Sequence, residues 1–84
     1  MVKSVLQLKI NEEDKSVFSQ KLDKDFEHSV GDVFEYSSYL YNQLTEDDKI
    51  LFKKFGLEIG PYRVQNKWLN YDEEEVIIFE LYSL

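Results

Sequence analysis

Residues 2–10 alternate without a break, Val2, Ser4, Leu6, Leu8 and Ile10 on one side and Lys3, Val5, Gln7 and Lys9 on the other. That period of two is the mark of a strand with one buried face, and it commits the chain to a sheet that something must cover. A second region has the same character. After Gly60-Pro61, the run YRVQNKWLNYDEEEVIIFELYSL reads as two long strands joined around Asn70 to Glu74. In the last of them Ile77, Phe79 and Leu81 make one wholly apolar face, and Val76, Ile78, Glu80 and Tyr82 make a mixed one that is partly exposed.

Between these ends the sequence predicts helices. Asn11 precedes Glu12, Glu13 and Asp14, a capping side chain before carboxylates that favour the positive end of a helix dipole. Phe18, Leu22 and Phe26 follow at i, i+4 and i+8 up to His28, with Gly31 as the stop. The competing reading makes residues 16–22 a hairpin partner of the first strand. Residues 32–43 carry both patterns, and the strand reading is taken for their start. Thr45-Glu46-Asp47-Asp48 is a cap followed three residues later by a carboxylate, and Ile50, Leu51, Phe52 and Phe55 continue a short helix ended by Gly56, with Leu57 folding back on Phe52. The expected fold is therefore α+β: a small antiparallel sheet of three or four strands with a long C-terminal hairpin, packed by two helices. With 84 residues and no repeat or linker, residues 1–84 are expected to form a single domain.

Composition narrows the chemistry. There is no cysteine, hence no disulfide, thiolate metal site or thiol nucleophile. The longest apolar run, Val76 to Phe79, is far short of the roughly 20 residues of a membrane-spanning helix, and no signal-peptide core precedes it. A soluble cytoplasmic protein is expected, in the host cytoplasm if the chain is phage-encoded. His28 is the single histidine, and three glycines cannot build a phosphate loop. Asp23-Lys24-Asp25-Phe26-Glu27 begins like a calcium loop, but His28 and Phe34 stand where glycine and the bidentate acid are required. No catalytic residue, metal or cofactor is assigned, and the chain is expected not to be an enzyme.

The formal charge is −7, and it is blocky: +1 over residues 1–22, −7 over 23–48, +4 over 49–67 and −5 over 68–84. Neighbouring carboxylates on a helix face or at alternate strand positions stand about 5–7 Å apart, a spacing that imitates a row of phosphates to a basic partner. Taken one at a time, the clusters have plainer explanations, residues 46–48 as helix-start carboxylates and residues 72–75 as a solvated turn guarding an apolar strand. Their sum is what favours a function. Six Tyr and one Trp add rigid amphipathic anchors of the kind interfaces use, although edge-of-core packing accounts for at least half of the tyrosines.

The leading expectation is a non-enzymatic interaction protein that inhibits a larger protein by occupying its basic nucleic-acid groove. Asp72, Glu73, Glu74 and Glu75 with Tyr71 and Trp68 form the expected partner-binding set, and Glu46, Asp47 and Asp48 a secondary one. In style this resembles the acidic DNA-mimic inhibitors that phages and mobile elements make against nucleases, CRISPR effectors or repair enzymes. Direct nucleic-acid binding is disfavoured by the net charge, and a membrane partner is not expected. The alternative is a small nucleic-acid-binding module using Lys53, Lys54, Arg63 and Lys67 as one continuous patch. The segments SVGDVF, GPYRVQNKW and VIIFEL resemble the layout of ASCH- and PUA-like small barrels over residues 29–81, which implies a nucleic-acid-binding sheet; the helix inferred at 46–55 departs from that layout, and no functional residue is carried across. A homodimer joined through the mixed face or free edge of the last strand is a third possibility.

Overall fold

The computed structural model describes residues 2–11, 13, 15–70 and 76–84. It is a curled mixed sheet of five strands with two helices, arranged as β1 (Ser4–Lys9), β2 (Phe18–Leu22), β3 (Val33–Tyr36), α1 (Ser38–Asn42), α2 (Glu46–Lys54), β4 (Gly60–Asn70) and β5 (Val76–Ser83). The strand order is β2-β1-β5-β4-β3. β1 and β5 run parallel at the centre, and the other neighbours are antiparallel. The sheet thus has five strands rather than three or four, and it is not antiparallel throughout.

The extra strand is β2, where the leading sequence reading is a helix; the antiparallel pairing with β1 agrees instead with the competing reading of residues 16–22 as a partner of the first strand. Phe18 and Leu22, four residues apart, sit on one face of a strand as readily as on one side of a helix, since four is an even number. The strand places Gln20 on the same buried face, with Ser19 and Lys21 exposed. Asn11 does not cap a helix. Its side-chain oxygen accepts from the Glu13 N–H two residues on, at 3.0 Å, which is a turn. Gly31 likewise belongs to a turn: Asp32 N–H donates to Ser29 C=O at 3.0 Å, and Gly31 takes φ +97°, a value that suits the third residue of such a turn.

β1 buries Ser4, Leu6 and Leu8 in the order its alternation predicts. The start of the ambiguous stretch is strand β3, and the remainder turns into α1. α2 begins as expected, the Thr45 hydroxyl accepting from the Asp48 N–H at 3.2 Å. It ends with Gly56 N–H on Lys53 C=O and Leu57 N–H on Phe52 C=O, at 3.0 and 3.2 Å. This is the left-handed glycine termination of a helix, with Gly56 at φ +77° and Leu57 buried beside Phe52.

One side of the sheet forms the core. Leu6, Leu8, Phe18, Leu22, Tyr36, Tyr62, Val64, Phe79 and Leu81 meet Leu40 of α1, Leu44 of the α1–α2 connection and Phe52 of α2. The Phe52 ring lies 5.5 Å from Phe18, 5.4 Å from Tyr36 and 5.2 Å from Tyr41, so one side chain ties α2 to both edge strands and to α1. The hydroxyls of Tyr36 and Tyr62 and the amide of Gln20 are paired inside the fold: the Tyr36 hydroxyl donates to Gln20 Oε1 at 2.6 Å, Gln20 Nε2 donates to Leu40 C=O at 3.0 Å, and Tyr62 donates to Glu58 C=O at 2.7 Å.

Burial raises the pKa of Tyr36 well above the ordinary phenol value near 10, with further repulsion from Tyr62 and Tyr41, and burial raises Tyr62 as well. The folded state therefore holds these two protons longer than the unfolded chain does. Their contribution is fully present below pH 10, about the unfolded value, and is lost as the pH rises above it. In an alkaline titration followed by tyrosinate absorbance, Tyr36 and Tyr62 are expected to ionise only together with loss of the far-ultraviolet circular dichroism signal. Full ionisation of all six tyrosines while that signal persists would contradict the burial.

Candidate functional site

The sheet's two faces differ in kind. α1 and α2 cover the inner one; among the described residues no element covers the outer one. Its composition follows from the pairing register, which places residues in cross-strand rows. One row runs Lys21, Val5, Ile78, Trp68; the next Ser19, Gln7, Glu80, Asn66; a third Lys9, Tyr82, Arg63, Val33. Trp68 is 40% exposed and Arg63, Lys21 and Asn66 are exposed. Asn66 Nδ2 donates to Glu80 Oε1 at 3.0 Å, and Lys9 Nζ stands 5.5 Å from the Tyr82 ring centroid.

A bulge decides which residues of β4 reach this face. Arg63 pairs with Tyr82 and Val64 with Leu81, but Asn66, not Gln65, pairs with Glu80. The extra residue reverses the alternation, so that Arg63, Asn66 and Trp68 share the outer face while Lys67 turns inward. There the Lys67 ammonium donates to His28 C=O at 3.3 Å and lies 5.4 Å from the Phe79 ring centroid. This corrects the expectation of one continuous basic strip. Lys53 and Lys54 lie in the last turn of α2, Arg63 is on the outer face and Lys67 on the inner one. The four do not form a patch.

The acidic set is divided as well. Tyr71, Asp72, Glu73, Glu74 and Glu75 lie outside the described residues. Glu46, Asp47 and Asp48 occupy the first turn of α2, on the opposite side of the sheet from Trp68, and are exposed. Asp23, Asp25 and Glu27 are exposed in the segment leaving β2. Lys49–Glu46, at 3.5 Å, is the ion pair among the described residues. Asp32 accepts from the Ser29 N–H at 2.8 Å. Asp23, Asp25, Glu27, Asp47, Asp48 and Glu58 therefore keep their charge free of any such pairing within the described part of the molecule.

The aromatics separate along the same lines. Tyr36 and Tyr62 are core residues, Tyr41 packs on Phe52, Tyr82 is half-buried on the outer face, and Tyr39, 66% exposed, stands on the helical side with Lys24 Nζ 5.7 Å from its ring centroid. No patch of three exposed aromatics forms among the described residues. His28 is not at a helix end; it stacks on Phe26 at 4.2 Å, and its buried Nδ1 has no hydrogen-bond partner among the described residues. The shallow depression beside it is lined by Asp25, Glu27 and Lys67. Among the described residues no group of three or more His, Asp or Glu could hold a metal ion, and no helix is long and apolar enough to cross a membrane.

The last strand has no free edge, because β5 pairs with β1 on one side and β4 on the other. That removes the edge-joined form of the expected homodimer and leaves the mixed face of β5 uncovered. Comparison of this chain with protein-family models, with curated proteins and with solved structures finds no match, and the expected resemblance to ASCH- and PUA-like barrels gains no support from it.

Proposed function

We propose that this chain is a small non-enzymatic interaction protein that occupies a basic, nucleic-acid-binding surface of a larger protein, as a DNA-mimic inhibitor of the phage or mobile-element kind does. The observation that supports this reading is the state of its carboxylates. In a chain of net charge −7, one ion pair, Lys49–Glu46, is formed among the described residues. Acids not neutralised from within project a negative potential that steers a basic partner and strengthens as salt falls. Asp72 to Glu75, with Tyr71, remain the first candidates for contact, joined by Asp23, Asp25 and Glu27.

Residues 46–48 are set apart by the capping geometry of α2. Charge reversal there would act on helix stability, at about 0.3–1 kcal/mol per residue. The test is a pull-down from nuclease-treated bacterial lysate at two salt concentrations, with captured proteins identified by mass spectrometry. One nucleic-acid-handling protein is expected, released at high salt and competed by DNA. Replacing Asp72, Glu73, Glu74 and Glu75 by Lys is expected to weaken that complex at least tenfold and to flatten its salt dependence, measured by calorimetry, with the circular dichroism spectrum unchanged. Capture that DNA does not compete, or capture found in untreated lysate and absent from the nuclease-treated one, would end this reading.

A further inference from the structure

We infer that the uncovered outer face of the sheet is a binding site for short single-stranded nucleic acid, a role separate from that of the acidic surfaces. Three observations combine. The first is local charge. Lys9, Lys21 and Arg63 lie on this face, and Lys3, just ahead of β1, continues the same side by alternation. Against them stand Glu35 and Glu80, so the face is net positive on a chain of charge −7, and Glu80 is engaged by Asn66 at 3.0 Å. A polyanion is the occupant this charge complements.

The second is the order of the rows. Trp68 and Ile78 offer a flat apolar surface, Gln7, Ser19 and Asn66 offer amide and hydroxyl groups, and Lys9 and Arg63 flank Tyr82 in the cationic row. The apolar and cationic rows are four residues apart along β5, or about 13 Å. A strand laid along β5 would stack a base on the indole, hold base edges over the amides and place phosphates on Lys9 and Arg63. Stacking needs an exposed base face, which a duplex does not present, so single strands are selected over duplexes. The third is the bulge at Val64–Asn66: plain alternation would put Arg63 and Trp68 on opposite faces, and the bulge brings them to one.

Trp68 is the only tryptophan, so its fluorescence reports directly on the face. The probes are oligothymidylate and oligouridylate of about 12 nucleotides, heparin as a base-free polyanion, and a polyglutamate peptide. Both oligonucleotides are expected to quench Trp68 saturably, with a slope of log affinity against log salt of about −2, the value for roughly three phosphates on a single strand. By anisotropy of a labelled oligonucleotide, Arg63→Glu and Lys9→Glu are expected to lose at least tenfold in affinity, and Trp68→Ala from about fivefold to a hundredfold.

The control variant Lys53→Glu/Lys54→Glu, on the helical layer, is expected to bind as the parent does, and circular dichroism verifies the fold of each variant. A preference between uridylate and thymidylate would report the 2′-hydroxyl and the thymine 5-methyl together; either order supports the site. No quenching at low salt, quenching by heparin or polyglutamate as strong as that by oligonucleotides, or an equal loss in the Lys53/Lys54 control would overturn it. Because these variants leave every carboxylate in place, oligonucleotide binding and capture of a basic protein can fail independently.

Discussion

Phe52→Ala is expected to destabilise the fold by about 3–5 kcal/mol, read as a fall in the urea midpoint and a drop of roughly 15–30 °C in the thermal midpoint. A chain of this length has about 5–12 kcal/mol in total, so the variant would be close to unfolding at physiological temperature. The size of the effect follows from the position. Phe52 is 2% exposed and is the buried residue of α2, and its ring meets Phe18, Tyr36 and Tyr41. The remaining α2 side chains cannot substitute, because Ile50 and Leu51 point outward, at 66% and 38% exposure. A loss below about 1 kcal/mol would mean that α2 does not dock on the sheet through Phe52.

Gln20→Leu is expected to cost about 2–4 kcal/mol in the same denaturation experiments. The leucine would suit the apolar surroundings, yet it would strand both the Tyr36 hydroxyl and the Leu40 carbonyl, which Gln20 serves at 2.6 and 3.0 Å. Each buried orphan costs about 1–3 kcal/mol. Tyr36→Phe alone leaves Gln20 Oε1 without its donor and is expected to cost about 1–3 kcal/mol. The double variant leaves the Leu40 carbonyl as the sole orphan, and so should be more stable than the sum of the two losses by at least about 1 kcal/mol. Strict additivity would show that the two side chains do not act as one unit tying β2, β3 and α1 together.

Gln20 also explains where the sequence misled. A polar residue between Phe18 and Leu22 looks like the outer side of a helix; in the structure it is a core residue whose partners, Tyr36 and Leu40, lie 16 and 20 positions away. No local pattern encodes that. β1, α2, β4 and β5 were legible because their signals are local: strict alternation, a Thr45 cap, a Gly56 stop and the apolar set Ile77, Phe79, Leu81. The candidate face was half legible. The mixed side of β5 was visible as Ile78, Glu80 and Tyr82, but Arg63 and Lys67, spaced as if to share a face, are separated by one inserted residue. A bulge of this kind has no local signature here: Gln65 is neither glycine nor any other marked residue. The parallel pairing of β1 with β5 was invisible for the same reason, since it depends on where the intervening residues return the chain.

That central pairing bears on how the molecule comes into being. β1 emerges from the ribosome first among the strands and β5 last, yet each lies at the other's side, with Ser4 opposite Ile77 and Lys9 opposite Tyr82. Until β5 is available, β1 with β2 and β3 with β4 are two unconnected antiparallel pairs, each with an apolar face in water and neither adequate to stand alone. Vectorial synthesis therefore cannot build this sheet from one side to the other. Closure has to be a single late event, slow for so small a chain because its decisive contacts span nearly the whole sequence.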